Sequence, residues 1–350
     1  MNKTRNMHQA MIKVAVDKAL RDIQENASRG IRNLVDLGIH FAKGPHQKEF
    51  LYNAQKMLHN KNSQYYKLTD RVIRNVDHHI LKKFGINLGY NSWTYGAKII
   101  RECEKKYSYN IPWTTIFDFR QQAETILPAT EISAILSYGE EIGVYCGIFF
   151  INRDQAYLRD LVKILTSHPD SAYCLFLEPE LITDTITREI VSAGNIIIAL
   201  ELDTAAENTR CRKAVDILLK NKCLYGTYSV YNDNNLEYIM SHNYMGQIAR
   251  LQCSFAFLIR ENLTAQNKER FSKFLQTTRN AIYYPYFLID FYDDLAIISQ
   301  KISEEKCLIS IKTNGEIVTR MRDKLTEGIN IRTHSLQTIL EKALPKFQLS

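Results

Sequence analysis

The chain has 350 residues, of which 45% are hydrophobic and 24% charged, and it carries a formal net charge of +7. This composition excludes an intrinsically disordered class and fits one large domain with an appendage. The N-terminus lacks the apolar run of a secretory signal, and no apolar run approaches the roughly 20 residues needed to span a bilayer. The sequence therefore predicts a cytoplasmic protein without transmembrane segments.

The seven cysteines are scattered, and the two closest in sequence are Cys211 and Cys223. No pair of cysteines, and no combination with histidine, has the spacing of a zinc or iron–sulfur site. We therefore predict no metal site. An odd, dispersed set of thiols also suits a reducing cytosol better than a disulfide framework.

Residues 1–110 hold 20 Lys and Arg against 9 Asp and Glu, so the basic excess of the chain lies in this segment. Apolar residues recur there at spacings of three and four, which is typical of amphipathic helices. The predicted helices cover 7–26, 30–42, 47–60, 67–84 and 92–107.

Three breaks separate these helices, at 44–45, 60–63 and the glycine-punctuated stretch 85–89, which have loop composition. The following tract, 89–96, is rich in aromatic and hydroxyl side chains. We interpret it as a helix start with Asn91 or Ser92 as the N-cap. The alternative is a recognition loop that faces a partner or peptide.

The basic helices include a cluster formed by Lys67, Arg71, Arg74, Lys82 and Lys83. Such a cluster contacts phosphate groups of nucleic acid or anionic lipid in some proteins, but amphipathic helices also carry solvated basic residues routinely. No nucleic-acid-binding motif accompanies the cluster, so nucleic acid is the disfavoured partner. Peripheral membrane contact through these helices stays an open alternative to protein contact.

From residue 111 onward, apolar runs of strand length alternate with helical patterns. This rhythm is typical of βαβ units and predicts a parallel sheet. The predicted strands are 114–119, 144–151, 172–177, 195–202, 224–231, 249–259 and 284–291.

Several of these segments resemble the radical SAM enzymes that carry a C-terminal SPASM segment. The resemblance rests on PWTTIFDF (112–119), GVYCGIFF (143–150) and CLISIKTNGEIVTR (307–320), the last with an Asn-Gly turn. It implies an α/β fold with a partial parallel (β/α) TIM-like barrel of six or seven strands. It also implies a helical N-terminal region at 1–110, a barrel at 111–295 and a vestigial SPASM hairpin at 296–350.

At each functional point of the family, this chain departs from the motif. The resemblance places Ala123 where the first cysteine of CxxxCxxC belongs, and the cluster loop is shortened. Residues 151–154 replace the Gly-Gly-Glu-Pro turn, and 177–180 replace a Thr-Asn-Gly-Thr turn. In the SPASM region, Lys301 and Arg320 stand at the cluster-ligand positions. The resemblance therefore implies that the 4Fe–4S cluster and S-adenosylmethionine binding are lost.

Parallel barrels place their chemistry at the carboxyl ends of the strands. Polar residues at or beyond the predicted strand ends are therefore the candidate ligand-binding residues, whereas no catalytic residue is assigned. These candidates are Asp118, Asn152, Arg153, Glu178, Glu180 and Asp203. Asp203 stands where the family usually has Glu.

Two functions of different class remain. The leading hypothesis is a catalytically inactive radical SAM-like protein that acts as an accessory or regulatory binding protein for an intact relative or its peptide substrate. The alternative is a repurposed non-redox enzyme, or a protein that binds S-adenosylmethionine or another ligand. That enzyme would use Asp118, Glu178, Asp203 or Asp290 as acid–base residues at the barrel mouth.

Overall fold

The computed structural model describes residues 2–41, 45–60, 63–121, 123–203, 209–321 and 324–346. The chain divides into two compact units that are each discontinuous in sequence. Unit 1 comprises Met1–Lys82 and Leu202–Ile289, and unit 2 comprises Lys83–Glu201 and Asp290–Ser350.

Unit 1 begins with a run of helices whose apolar faces pack together. Ala19, Ile23, Val35 and Leu68 are buried among them, as the helical spacing of apolar residues predicts. The helices are α1 (Asn2–Glu25), α2 (Ala27–Phe41), α3 (Pro45–His59) and α4 (Gln64–Asn75), and α5 (His78–Ile86) continues into unit 2.

The single helix predicted at 67–84 is wrong, because the chain breaks between α4 and α5. Val76 adopts an extended conformation. The Asp77 backbone N–H donates to the Lys222 carbonyl at 2.9 Å, and the Asp77 side chain accepts from the His79 N–H at 2.8 Å. Asp77 thus starts a new helix with its own side-chain cap. Apolar periodicity alone did not reveal this cap.

The rest of unit 1 alternates helices and strands. Its strands lie in the order β5 (Tyr225–Tyr231), β6 (Phe255–Arg260), β7 (Phe287–Asp290), of which the last residue belongs to unit 2, and β5 pairs with β6 in parallel. The helices are α10 (Thr209–Lys220), α11 (Leu236–Ile239), α12 (His242–Arg250) and α13 (Ala265–Ala281). The predicted strand at 249–259 begins too early, because α12 continues to Arg250 and a turn follows it.

Unit 2 opens with a π-helix, Asn87–Gly96, which leads into α6 (Ala97–Tyr107). The loop predicted at 85–89 and the N-cap predicted at Asn91 or Ser92 are therefore both wrong. The side-chain amide of Asn87 donates to the carbonyls of Pro169 and Ser171, both at 2.9 Å. These tertiary hydrogen bonds hold the glycine-containing stretch in a wide helix that its local sequence does not favour.

The strands of unit 2 form a mainly parallel arrangement in the order β10–β9–β8–β1–β2–β3–β4. β1 pairs in parallel with both β2 and β8, whereas β9 pairs antiparallel with both β8 and β10. The strands are β1 (Thr115–Phe119), β2 (Cys146–Ile151), β3 (Ala172–Leu177), β4 (Ile196–Glu201), β8 (Cys307–Lys312), β9 (Glu316–Met321) and β10 (Lys324–Asn330).

Helices connect these strands, giving the mixed α/β class that the sequence predicts. They are α7 (Ala129–Glu141), α8 (Gln155–Ser167), α9 (Asp184–Ala193), α14 (Phe291–Ser303) and α15 (Leu336–Ala343). Across the described residues, no helix combines the length and apolarity needed to cross a bilayer.

Aromatic side chains fill the core of unit 2. Phe117 stacks on Phe149 with ring centroids 4.3 Å apart, and Phe150 contacts Phe176 at the same separation. All four rings are buried. Strands buried on both faces are typical of parallel sheets, which explains their nearly continuous apolar sequences.

A close backbone approach joins the π-helix to the turn before β2. A methyl group on Gly96 would lie 2.3 Å from the Gly143 carbonyl oxygen, and Gly143 has a φ of +96°. Only glycine fits both constraints, because any side chain would clash at one position and strain the backbone at the other.

The C-terminal segment docks on the connection between α6 and β1. The buried Glu104 carboxylate accepts from the Ile111 N–H at 2.8 Å and pairs with the Lys346 ammonium at 3.1 Å. The Asn110 N–H donates to the Leu344 carbonyl at 2.7 Å. Burial raises the pKa of Glu104 to about 7, and the two hydrogen bonds only partly oppose this shift.

We expect unit 2 to lose stability as the pH rises through about 7. A carboxyl whose pKa is raised on folding stabilises the folded state fully below its unfolded pKa, and this contribution is lost as the pH passes the folded pKa. The loss between pH 5 and pH 8 should be on the order of 3 kcal/mol in the free energy of unfolding. Glu104→Gln should flatten this dependence in chemical denaturation, whereas Glu102→Gln, at an exposed position, should leave it unchanged. Equal pH dependence in both variants would contradict the assignment.

Candidate functional site at the carboxyl ends of β1, β2 and β3

The parallel register aligns the carboxyl ends of three neighbouring strands in unit 2. Phe119 lies opposite Ile151, and Ile151 lies opposite Leu177. The structure therefore brings five of the six predicted site residues to one edge: Asp118, Asn152, Arg153, Glu178 and Glu180. Asp203 follows β4, belongs to unit 1 and is exposed.

Asp118 is held in an ion pair with Arg120. The Arg120 Nε and Nη2 atoms donate to the two Asp118 carboxylate oxygens at 2.8 and 2.7 Å. The guanidinium also lies over the Phe150 ring, 4.7 Å from its centroid. Bidentate pairing and cation–π contact fix both side chains. Both oxygens of Asp118 are thus occupied by a local partner.

The short segment between β1 and α7 is tied to the turn that joins β8 to β9. The Thr313 hydroxyl donates to the Gln121 carbonyl at 2.7 Å, and the Leu127 N–H donates to the Thr313 carbonyl at 2.8 Å. The Leu127 side chain is fully buried. Arg332 adds a hydrogen bond of 2.6 Å to the Ile126 carbonyl. These contacts fix the segment at both of its ends.

Arg153 reaches the same segment from β2. Its Nη2 donates to the Gln121 carbonyl at 2.8 Å. Its Nε and the hydroxyl of Tyr157 are buried, and neither atom has a hydrogen-bond partner among the described residues. Burial raises the pKa of Tyr157 to about 12, an effect that the nearby Arg153 charge opposes. A charged guanidinium nitrogen and a hydroxyl that both lack acceptors within the described part of the chain favour an anionic group as a ligand.

The acidic residues after β3 diverge in environment. Glu178 is half-buried, and Pro179 ends the strand by starting a short 3₁₀ turn, Pro179–Leu181. Glu180 is exposed, while the carbonyl of Leu181 accepts from the Gln155 side chain at 2.9 Å. Of these two carboxylates, Glu178 is therefore the one that is partly shielded from solvent.

The basic cluster of the N-terminal helices is largely engaged within each unit. Arg71 is half-buried and donates to the carbonyls of Cys253 and Pro285, both at 2.6 Å, and its burial lowers its pKa. The other three pairs, each within one unit, are Arg74 with Asp70, Lys82 with Asp17, and Lys83 with the Ala193 carbonyl. Lys67 is exposed. Arg71 is thus a structural residue rather than a surface contact.

The residues of unit 2 do not fit an iron–sulfur cluster at the end of β1. Cysteine thiolates hold such clusters, and the resemblance implies three of them in the loop that follows this strand. Residues 120–128 contain no cysteine, and six of the seven cysteines of the chain are buried free thiols. Burial raises the pKa of the Cys146 thiol, inside β2, to about 12. Within the described residues, no group of three or more His, Cys, Asp or Glu side chains could hold a metal ion.

The sequence did not indicate Thr313, Arg332 or Tyr157 as parts of this edge. Thr313 and Arg332 lie more than 180 residues from β1 in sequence, and only the β1–β8 pairing brings them near. Tyr157 occupies the first turn of α8, where an aromatic residue appears as ordinary helix packing. The local feature that fixes the position of Tyr157 is Asp154, the N-cap of α8, whose side chain accepts from the Tyr157 N–H.

No protein-family model matches the chain, and no curated protein sequence matches it. Among solved structures, it is similar to Streptococcus suis SuiB bound to S-adenosylmethionine, with a TM-score of 0.50 and 12% identity over 69% of this chain and 67% of that chain. A second structure of SuiB gives a TM-score of 0.49 at 12% identity, over 92% of this chain and 77% of that chain. The first match supports a radical SAM-like fold. At this identity, the likeness concerns the fold alone.

We expect Thr313→Val to loosen the β1–α7 segment. The substitution keeps the shape of the side chain but removes the donor to the Gln121 carbonyl, which should cost about 1 kcal/mol of unfolding free energy. Hydrogen exchange of the Leu127 amide should accelerate as a result. Thr313→Ser, which keeps the hydroxyl, is the matched control. Unchanged exchange in the valine variant would show that the hydroxyl does not hold the segment.

Proposed function

We propose that this protein is a catalytically inactive radical SAM-like protein that binds a protein or peptide partner. The observation that carries this proposal is the segment between β1 and α7. Where the resemblance implies three cluster thiolates, this chain has a short cysteine-free connection. Its Gln121 carbonyl and Leu127 amide are both bonded to Thr313. In place of the cluster loop that the resemblance implies, this chain has a segment held by hydrogen bonds to Thr313.

The finer architecture belongs to the same proposal. β1 to β4 correspond to the first strands of a partial TIM-like barrel, and β8 with β9 corresponds to a degenerate SPASM hairpin. The tight turn of this hairpin contains Asn314 and Gly315, the latter with a φ of +83°. The hairpin retains its turn, while Arg320 lies over the Tyr292 ring at 4.5 Å where the resemblance implies a cluster ligand.

The partner is an intact radical SAM relative or the peptide that such a relative modifies. We infer that it contacts the carboxyl-end edge of β1 to β3. Arg153 offers a forked cationic donor for a partner carboxylate, and Glu178 offers an acceptor for a basic group. Asn152, which is exposed beside Arg153, adds a neutral hydrogen-bonding side chain. The seven free thiols suit a cytoplasmic location.

The alternative function, an acid–base enzyme, is less well supported by the environments of its candidate residues. Asp118 has both carboxylate oxygens engaged by Arg120. Asp290 is only 4% exposed, and its backbone N–H donates to the Asp294 carboxylate at 2.9 Å. A general acid or base has to reach the substrate proton within hydrogen-bond distance. The binding function is therefore preferred.

The cofactor content tests the first half of the proposal. Protein purified without oxygen and reconstituted with iron and sulfide should stay colourless, because no three thiolates can converge on one cluster. Calorimetry with S-adenosylmethionine should give weak or no binding, because Ile151 to Asp154 replace the glycine-rich turn. A charge-transfer absorption at one cluster per chain would overturn the inactive assignment. Micromolar nucleotide binding would favour a non-redox ligand-binding role instead.

Partner capture tests the second half. Arg153→Glu should reduce capture of a radical SAM enzyme, or of its peptide, from the native cell extract by at least about tenfold, because reversing one charge-assisted contact costs more than 1.4 kcal/mol. The comparison variant is Lys67→Gln with Arg74→Gln, at exposed helical positions; Arg71 is excluded because it is structural. Mass spectrometry identifies the captured protein. Normal capture by Arg153→Glu and loss by the helical variant would move the contact to the helices.

A further inference from the structure

A second polar cluster in unit 2 lies at the amino ends of the strands, away from the edge described above. Ser133 and Glu140 lie on α7, seven residues apart, so they share one face of the helix. His168 ends α8, and Ser171 immediately precedes β3. The connection between α8 and β3 therefore places a histidine against one helical face that carries a serine and a glutamate.

The three side chains form a continuous hydrogen-bonded chain. The Ser133 Oγ lies 3.1 Å from the His168 Nε2, and the His168 Nδ1 lies 3.3 Å from the Glu140 Oε1. The carboxylate can only accept, so Nδ1 is assigned the proton and Nε2 accepts from the serine hydroxyl. This arrangement makes the serine a potential nucleophile and the imidazole its base. The carboxylate orients the imidazole.

The backbone that carries the imidazole, and the carboxylate that contacts it, are both held by hydrogen bonds. His168 is 7% exposed, and Asn195 donates to the carbonyls of His168 and Ser171, both at 3.1 Å. The Ser171 hydroxyl donates to the same Glu140 oxygen at 2.6 Å, which fixes the carboxylate. Ser133 is half-buried and therefore within reach of small reagents. A base locked by surrounding hydrogen bonds is preorganised for proton transfer.

We propose that Ser133, His168 and Glu140 form a nucleophilic serine site that accepts acyl groups from small activated carboxylic esters. The Ser133 Oγ attacks the ester carbonyl carbon while its proton moves to the His168 Nε2. The bond to the leaving oxygen then breaks, and that oxygen takes the proton from His168. Water, deprotonated by the same imidazole, hydrolyses the acyl-serine and regenerates the hydroxyl.

The hydroxyl nearest to Ser133 along the same helical face belongs to Ser137, and we assign it as the donor to the developing oxyanion. Ser137 follows Ser133 by one helical turn and is exposed. A side-chain hydroxyl is a weaker oxyanion donor than a pair of backbone N–H groups, so turnover is slow and acylation of Ser133 is the step to measure. This site uses no residue of the partner-binding edge. Its failure and the failure of the proposed function are therefore separately observable.

A fluorophosphonate probe, which phosphonylates activated serines, tests the site directly on the full chain. Intact-mass and peptide mapping should place one adduct on Ser133, and p-nitrophenyl acetate should acylate the same residue. Ser133→Ala should abolish both reactions. His168→Gln should slow labelling by roughly 100-fold or more, because general-base catalysis contributes that much. Ser167→Ala is the matched control, since this exposed serine adjoins His168 but donates to the Ile164 carbonyl.

Glu140 is a positioning residue, and its variants separate orientation from folding. Glu140→Gln should slow labelling while the thermal midpoint stays within a few degrees, and Glu140→Asp should restore part of the rate. If His168→Gln fails to fold, the Ser133→Ala and Glu140 variants carry the test. No adduct on Ser133 in the native chain would overturn the proposal, and so would equal labelling of the native chain and a folded His168→Gln variant.

Discussion

The parallel pairing of β1 with both β2 and β8 is the constraint on which unit 2 depends. β8 is separated from β1 by almost 190 residues, yet this pairing sets the β8–β9 turn beside the end of β1. Thr313 can then bond the Gln121 carbonyl and the Leu127 amide. The connection between β1 and α7 is thereby a short segment anchored twice by the hairpin. Two of its polar backbone groups, the Gln121 carbonyl and the Leu127 N–H, are satisfied by the hairpin.

The same register sets the balance of charge at the strand ends. Asp118 lies opposite Lys312 in the β1–β8 pair, and each has a closer partner of its own. Asp118 binds Arg120 at 2.7 Å, and Lys312 pairs with Glu316 at 3.3 Å. Each of the two charges is therefore balanced by a residue close to it in sequence. Arg153 differs, because its contact is a backbone carbonyl rather than a carboxylate. Among the described residues of this edge, Arg153 is consequently the cation that is bonded to a backbone carbonyl instead of a carboxylate.

Asparagine side chains perform the corresponding task at the opposite ends of the strands. Asn87, Asn91 and Asn195 all donate to carbonyls of the segment that leads into β3. Buried carbonyls need such donors because an unpaired buried polar group is costly. One consequence is the continuous helix through 87–96. The other is the fixed position of His168 relative to α7.

The sequence by itself determined the class of the fold and the identity of most elements. The strand predicted at 172–177 coincides with β3, and β1, β2 and β4 were located to within two residues at each end. These strands are short runs of nearly continuous apolar residues because both of their faces are buried. Their composition and length alone therefore identify them. The carboxyl-end position of Asp118, Arg153 and Glu178 also followed, because parallel strands end on a common edge.

Tertiary structure decided everything that depends on a distant partner. The break at Val76 and Asp77 needed the Lys222 carbonyl, and the π-helix needed the carbonyls of 169–171. The role of Arg71 as a structural donor needed Cys253 and Pro285. Local propensity is worth only a few tenths of a kcal/mol per residue, whereas a buried hydrogen bond to a distant group is worth about 1 kcal/mol. Wherever the two disagreed, the long-range hydrogen bond set the local conformation, and a sequence pattern does not contain that information.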